Sequence, residues 1–462
     1  MSATTAAVRE SRVSRGAAIA RLALRIGGRY AARSPRLLFA SVERRKQLRH
    51  DLAYRSADEV AEELGSMKGV LMKLGQMASY IYEDMPVTVR AAMSRLQHRA
   101  PPMTAALATG VIREELGDAP EHLFAHWDPT PFAAASIGQV HRAITRDGHA
   151  VAVKVQYPGI ARSITSDLRN VGLLRRVVGA AFPGLDTRSF VDEVAERMQE
   201  EVDYVREAES QELFARYYDG HPYIRVPHIV AELSTARVLT SELDSGASFD
   251  ELLTWDQREK DLAAETIHRF VFRSLYRLHA FNGDPHPGNY LFHRGGRVTF
   301  LDFGLTKLFT DEDLAPLIDA VRYLVFEKDH EGFRSALEQA GFVKPGAPVS
   351  TQMVVDRFGQ FYGTALQDAP MTITPAYASA IVRRFFDARS PLAPYSNVPR
   401  EYVIMQRINL GLYAVLGSLN ATANWRRIAE EIWPFRNGPP STPIGEAEAA
   451  WESARAKVPE NW

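Results

Sequence analysis

Residues 281–292 read FNGDPHPGNYLF, and residues 299–305 read TFLDFGL. Asp284, Asn289 and Asp302 stand on short loops punctuated by glycine and proline, each beside an apolar run of strand character. Gly and Pro end regular structure, so the polar side chains between them are held at strand ends instead of in a core. Asp284 and Asn289 have the spacing D-x-x-x-x-N, and Asp302, which opens D-F-G, follows Asn289 by thirteen residues. Phosphoryl transfer asks a protein mainly for position and charge neutralisation: one carboxylate meets the nucleophile, and an Asn and an Asp hold the metal ions. The three side chains are therefore expected to converge on the phosphates and metal of a nucleotide.

The same chemistry needs a cation on the α- and β-phosphates. Upstream, SIGQVHRAITRDGHAVAVKVQ has strand-like runs on either side of Asp147-Gly148, a pair whose positions both accept positive φ and which predicts a tight hairpin turn. In the second run Val151, Val153 and Val155 alternate with Ala152 and Lys154, which points the lysine away from the valine face. A lone strand lysine is most often a solvated side chain; here V-A-V-K stands in the order and context of the kinase V-A-I-K lysine. Residues 187–216 predict a long charged helix with Phe190, Val194, Met198, Val202 and Val205 on one stripe. Within it Asp203 and Glu207 are four apart and share a helical face, Glu201 lies to one side, and Glu193, Glu196 and Glu200 read as solvated.

Two short strands, YIRVPHIVAEL and RVLTSEL, follow that helix, joined by a turn, and DSGASF connects them to a mainly helical region from about residue 256. Helices resume after the quoted loops and run to roughly 430, and RNGPPSTPIG reads as a flexible tail with room for a short helix. Near the other end, SADEVAEELGSMKGVLMKLGQMASYI spaces Val60, Leu64, Met67, Leu71, Leu74 and Met77 as one apolar helix face, with Lys73 and Gln76 three apart beside Gly75. A helical preface, a small sheet with one long helix, then a larger helical lobe carrying loops is the order of an α+β, bilobal protein kinase-like fold, with nucleotide in the cleft between lobes. The expected divisions are a basic extension over 1–50, a helical extension over 51–120, an N-lobe over 121–245, a C-lobe over 246–435 and a tail over 436–462.

Composition narrows the partners. The 462 residues are 46% hydrophobic and 24% charged, with a formal net charge of −1, so no global field recruits nucleic acid. There is no cysteine, which removes disulfides, thiolate metal sites and cysteine nucleophiles. Arginines interrupt RLALRIGGRY where a signal peptide needs an apolar core, and no apolar run approaches a membrane span, so a cytoplasmic protein is expected. Residues 1–50 nevertheless hold twelve Arg or Lys against two Glu. With Val13, Ile19, Leu22, Leu24 and Ile26 interspersed, they fit a basic amphipathic helix able to lie on an anionic membrane surface. A solvated helix packed on its own protein fits that pattern equally well.

Departures from ordinary kinases are as informative as the matches. Where a Gly-rich loop should cover the phosphates stands PFAAASIGQVHRA, with Ala133, Ala134, Ala135 and Ser136, whose methyl groups remove the freedom glycine provides. After LDFG the chain turns promptly helical, with no A-P-E and no evident groove for a peptide substrate. KLGQ at 73–76, PFAAASIGQVHRA, VAVKVQ, EVDYVREA at 201–208, DPHPGN and LDFG together resemble the UbiB/AarF family of atypical kinase-like proteins over about residues 55–330. FNGD stands where that family more often has a His-Ala-Asp run.

The resemblance implies a K-x-G-Q helix over the active site, with Lys73 and Gln76 as an inhibitory element held by Glu201 and Asp203 of E-x-D. It implies Glu207 as the partner of Lys154, Asp284 as the catalytic acceptor and Asn289 and Asp302 as metal ligands. The ATP-binding set is Lys154, Glu207, Ala133, Ala134, Ala135 and Ser136, with Glu242 and Leu243 where RVLTSEL meets its connector. His286 is expected to position the loop, since Asp284 already supplies the acceptor. ATP or ADP with Mg²⁺, weak ATPase activity, a part in isoprenoid quinone (ubiquinone-type) or isoprenoid lipid metabolism and peripheral attachment to the inner membrane face follow from the same resemblance. Two other readings share the residues: a phosphotransferase with a small-molecule or protein acceptor, and a nucleotide-gated lipid-binding scaffold without turnover.

Overall fold

The computed structural model describes residues 103–135, 137–162, 164, 202–283, 285–385, 390–399 and 402–455. The basic 1–50 segment, Lys73 and Gln76, Ser136, Glu201 and Asp284 lie outside the described residues. Two compact units divide the chain: one takes the described residues up to Val205 with Val230–Leu243, the other takes Arg206–Ile229 and everything from Asp244 onward. Relative to the expected lobes, Arg206–Ile229 therefore goes with the second unit.

The first unit opens on helix α1 (Ala105–Leu116), whose start is fixed by the Thr104 side chain accepting from Leu107 N and whose end is fixed by Gly117 at φ +83. The sheet holds β1 (His126–Trp127), β2 (Ala133–Ala135), β3 (Gly138–Ile144), β4 (Ala150–Gln156) and, later in the chain, β6 (Val238–Glu242). It is antiparallel in the order β1-β3-β4-β6, with β2 added on β3. The two-residue period of β4 plays out as expected: Val151, Val153 and Val155 are buried, while Ala152 and Lys154 are half-buried on the other face. Burying each valine contributes on the order of 1.5–3 kcal/mol. The hairpin turn is longer than Asp-Gly suggests. Ile144 pairs with Ala150, and the intervening loop is closed by Thr145 N donating to His149 O. Only Gly148 takes a left-handed φ, +93, because the Thr145 and His149 hydrogen bonds close the loop outside the Asp-Gly pair.

Residues 187–201 of the helix expected over 187–216 lie outside the described residues; Val202 and Asp203 are not helical, and helix α2 (Tyr204–Tyr217) follows them. Asp203 stands before its first turn, so Asp203 and Glu207 do not share a helical face, and Val205, expected on the buried stripe, is 46% exposed. The face that packs carries Glu207, Gln211, Phe214 and Ala215. The run YIRVPHIVAEL yields only β5 (Ile224–Arg225), since Pro227 cannot donate to a ladder, and it pairs in parallel with Val298 and Thr299 of the second unit instead of joining β6.

The second unit is built on helix α3 (Gln257–Arg277), capped by the Asp256 side chain and buried over most of its length. Short strands β7 (Ala280–Asn282), β8 (Tyr290–Phe292), β9 (Val298–Phe300) and β10 (Thr306–Leu308) follow. Helices α4 (Asp311–Val321), α5 (His330–Gln339), α6 (Thr351–Phe358), α7 (Pro375–Phe385), α8 (Val403–Ser418) and α9 (Trp425–Ile432) complete the body. The α4 start is a capping box in which Thr310 and Asp313 satisfy each other's backbone N–H groups. Aromatic rings fill the core, with Phe270 stacked on Phe300 and Phe214 packed on Phe303.

The tail expected to be flexible carries helix α10 (Pro443–Arg455), pinned by buried charge. Glu448 receives hydrogen bonds from Arg269 at 2.7 Å and Arg273 at 2.8 Å, and Arg269 also meets Glu265 and Glu431 at 2.8 Å. Charges this deep are tolerated only when each is paired. No helix among the described residues is long and apolar enough to cross a membrane.

Candidate functional site

Lys154 of the first unit is placed by strand register: β4 sets it opposite Val140 of β3 and Leu239 of β6. Its Nζ lies 4.8 Å from the ring centroid of Tyr204, so the ammonium rests on an aromatic face while its stem crosses apolar sheet. Ala133, Ala134 and Ala135 form β2, paired with Val140, Gln139 and Gly138, and the first two are exposed. Gly138 allows the closest approach in the sheet: a Cβ there would run into the Val155 carbonyl, so the β3–β4 ladder admits no side chain at this point. Glu242 closes β6 opposite Val151, Leu243 N donates to Ala150 O, and both residues are half-buried.

In the second unit the β8–β9 hairpin sets Tyr290 opposite Phe300, and Leu301 N donates to Asn289 O at 2.9 Å. Register thus brings Asn289 beside Asp302 in space despite their separation in sequence. Asn289 closes a single 3-10 turn, Pro287–Asn289, whose start is capped by His286 Nδ1 accepting from Gly288 N at 2.9 Å. The ring of His286 thus closes the turn that follows it.

Asp302 is pinned from several sides. Its Oδ1 accepts from Gly304 N at 3.0 Å, and its carbonyl accepts from Asn282 Nδ2 at 2.7 Å. The β7–β10 pair sets Asn282 opposite Thr306, and Gly283 N donates to Leu305 O. The strand before it is anchored where Thr299 donates to Asp244 at 2.6 Å. Burial alone would raise the Asp244 carboxyl, but the Thr299 hydroxyl, the Ser245 N–H and Arg225 outweigh it and hold Asp244 below the usual carboxylate value.

Glu207 is 4% exposed, delivered by the packed face of α2. A Cβ built on Gly304 would stand 3.5 Å from Asp302 Oδ1 and 3.6 Å from Glu207 Oε2, so the bare glycine leaves the space between the two carboxylates open. Phe303 is fully buried, 4.8 Å from Phe214 of α2 and 6.4 Å from Phe270 of α3 by ring centroids. The D-F-G segment and the helix bearing Glu207 therefore share one aromatic contact, and movement of one is felt by the other.

Among the described residues, no group of three or more His, Cys, Asp or Glu side chains could hold a metal. Asn289 with Asp302 suits Mg²⁺ all the same, because that ion commonly takes one or two protein oxygens and fills its octahedron with phosphate and water.

One positioning residue escapes sequence reasoning. Gly411 lies inside α8, and a Cβ there would press into the ring of Pro285, the residue after Asp284. The signal was an interior helix glycine, which costs roughly 1 kcal/mol relative to alanine and so calls for a packing reason.

Residues 95–337 match the model of the ABC1 atypical kinase-like domain. The chain is 33% identical over 314 residues to Protein ACTIVITY OF BC1 COMPLEX KINASE 8, chloroplastic, of Arabidopsis thaliana, covering 66% of this chain and 40% of that one. It is 34% identical over 271 residues to Atypical kinase COQ8B, mitochondrial, of Rattus norvegicus, covering 58% and 51%. The chain thus spans about half or less of the length of these relatives. The solved structure of the Rv3197–erythromycin complex from Mycobacterium tuberculosis is 29% identical with a TM-score of 0.61, covering 85% of this chain and 100% of that one. The α+β architecture is accordingly kinase-like. With a family model matched over more than half of its residues, the chain belongs to the ABC1 atypical kinase-like, or UbiB/AarF, family.

Proposed function

We propose that the chain is an atypical kinase-like ATPase that binds ATP or ADP with Mg²⁺ and supports isoprenoid quinone synthesis or isoprenoid lipid homeostasis. The observation that carries this reading is the gathering of the Asp302 and Glu207 carboxylates about Gly304, with Asn289 held beside Asp302 by strand register. In this reading Mg²⁺ neutralises charge on the β- and γ-phosphates. Asp302 and Asn289 hold the ion, and Lys154 supplies the positive charge for the α- and β-phosphates, with Glu207 fixing the lysine. Asp284 meets the proton of the attacking group. Ala133, Ala134 and Ala135, a strand where ordinary kinases have a glycine loop, lie along the phosphates, and Ser136, Glu242 and Leu243 complete the nucleotide set. Lys73 and Gln76, tethered by Glu201 and Asp203, are the regulatory element.

Relatives named COQ8 support the assignment to the quinone pathway, and their names place them in mitochondria. For this chain we place the action at an anionic membrane surface, reached through the basic 1–50 segment. The expected biochemical result is Mg²⁺-dependent ATP hydrolysis that Asp302→Asn abolishes; an undiminished rate in that variant refutes the assignment. Co-sedimentation with anionic but not neutral liposomes, weakened by salt, is the expected membrane behaviour.

One observation favours a second reading, a nucleotide-dependent binder of a bulky amphipathic ligand: the Mycobacterium tuberculosis relative, covered over its full length, is described in complex with erythromycin. Calorimetric titration of this chain with erythromycin, with and without ADP, decides between them. Binding of the macrolide without any ATP turnover selects the second.

A further inference from the structure

A cavity of about 110 Å³ lies within the helical unit, among α3, α8, α9 and the segment after α6. Its walls are mostly aromatic and aliphatic, and Phe272 and Trp425 flank His268 at ring-centroid distances of 4.6 and 5.2 Å. The polar groups on the wall are largely spoken for: Trp425 Nε1 donates to Met371 O at 2.9 Å, and the Tyr413 hydroxyl donates to Phe361 O at 2.9 Å with Thr364 Oγ1 3.4 Å away. His268 differs. It is 6% exposed, and its buried Nδ1 has no hydrogen-bond partner among the described residues.

An unpartnered buried nitrogen in an apolar wall specifies what would fill the space. Burial, and then the neighbouring Arg269 charge, push the His268 imidazole down to about 3, so it is neutral at ordinary pH. A neutral imidazole presents one N–H and one lone pair, and Nδ1 carries either according to tautomer. A hydroxyl answers both cases because it donates and accepts, whereas a carbonyl answers one. Among the described residues no charged side chain lines the wall, so the cost of desolvation favours a neutral ligand over a charged one.

Size sets the body of the ligand. An apolar cavity of about 150 Å³ takes up benzene, while one water occupies roughly 30 Å³ of liquid and needs two to four polar partners to be held. A single water on Nδ1 would leave most of the 110 Å³ empty, and the mostly aromatic and aliphatic wall favours an apolar body over a chain of further waters. We propose that the cavity binds a small neutral alcohol with a body of about one six-membered ring, its hydroxyl paired with His268 Nδ1 and its ring against the aromatic wall.

Benzyl alcohol and toluene, which share a ring and differ in the hydroxyl, test this on the full chain by calorimetry and by ¹⁵N chemical shifts of the His268 imidazole. Benzyl alcohol is expected to saturate one site and move the Nδ1 resonance, with toluene bound roughly tenfold more weakly, the worth of one hydrogen bond. His268→Phe should bring benzyl alcohol down to the level of toluene. Ala429→Leu, which adds bulk to the same wall, should abolish binding of both, with cooperative thermal unfolding retained as evidence of folding. Lack of saturable binding by either molecule overturns the proposal. So does benzyl alcohol affinity unchanged in both folded variants, or an Nδ1 resonance that exchanges with water alone and ignores the alcohol.

Discussion

Replacing Gly411 by alanine separates the geometry of the proposed catalytic loop from the stability of the fold. The added Cβ would fall on Pro285 Cγ, well inside the 3.0 Å that real Cβ contacts essentially never breach, with Pro285 Cβ at 3.2 Å and Cδ at 3.5 Å. To reach ordinary contact the pyrrolidine ring must retreat by about 1 Å, and a proline ring has no rotamer with which to yield, so the backbone beside Asp284 moves with it. A misplacement of about 1 Å at a reacting group costs on the order of 100-fold in rate. The helix, by contrast, gains about 0.8–1 kcal/mol from losing an interior glycine, which offsets part of the strain of moving the loop. The expected outcome is kcat for ATP lowered by about 30- to 100-fold, nucleotide affinity changed by less than about threefold, and a melting temperature within a few degrees of the parent. Steady-state ATPase assays, nucleotide titration and thermal unfolding on the same preparation give the three numbers, with Asp302→Asn marking the zero of activity. Gly110→Ala is the control: it sits inside α1 with nothing within 4 Å of a Cβ, so it should add stability without touching rate. A Gly411→Ala enzyme turning over at the parental rate refutes the reasoning, as does a rate loss that merely tracks unfolding.

Other consequences are more direct. Glu448→Gln leaves Arg269 with Glu265 and Glu431 but strips Arg273 of its buried partner, and the loss in urea unfolding should be about 3–5 kcal/mol. Glu452→Gln, whose carboxylate is half exposed, should cost no more than about 1 kcal/mol, and equal losses would show that burial is not what matters. Acid should weaken the fold through His268. Its folded value is about 3 against an ordinary 6.5, so the unfolded chain binds the proton first, and the stability carried by the neutral ring is complete above pH 6.5 and lost as pH falls toward 3. At pH 5 this amounts to about 2 kcal/mol, and His268→Phe should show that much less loss than the parent between pH 7.5 and 5. Gly138→Ala should disrupt the β3–β4 ladder and lower the melting temperature by several degrees; a neutral effect would mean that the Val155 carbonyl can yield.

What could be read in advance and what could not divide along sequence distance. Lys154 was legible because a two-residue period needs only its own strand, and the valines on either side state which way it points. Asn289 and Asp302 were legible because Gly and Pro mark loop ends locally, and the hairpin between them is short enough for register to finish the placement. The break at Val202 and Asp203 was not, since the apolar spacing runs straight through Val202 to Val205, and Val205 then faces outward. Periodicity reports which residues could share a face and is silent on whether a neighbour covers it. The anchoring of the short helix in the tail was hidden for the complementary reason. RNGPPSTPIG reads as flexible by composition, yet the helix after it is held by Glu448 reaching Arg269 and Arg273, partners 179 and 175 residues away. No local pattern distinguishes a glutamate that will be buried in an ion cluster from one that will face water, because the difference lies wholly in the partner. Gly411 and Pro285 make the same point at the loop that matters most: each residue is unremarkable alone, and only their contact says why the helix gives up an alanine.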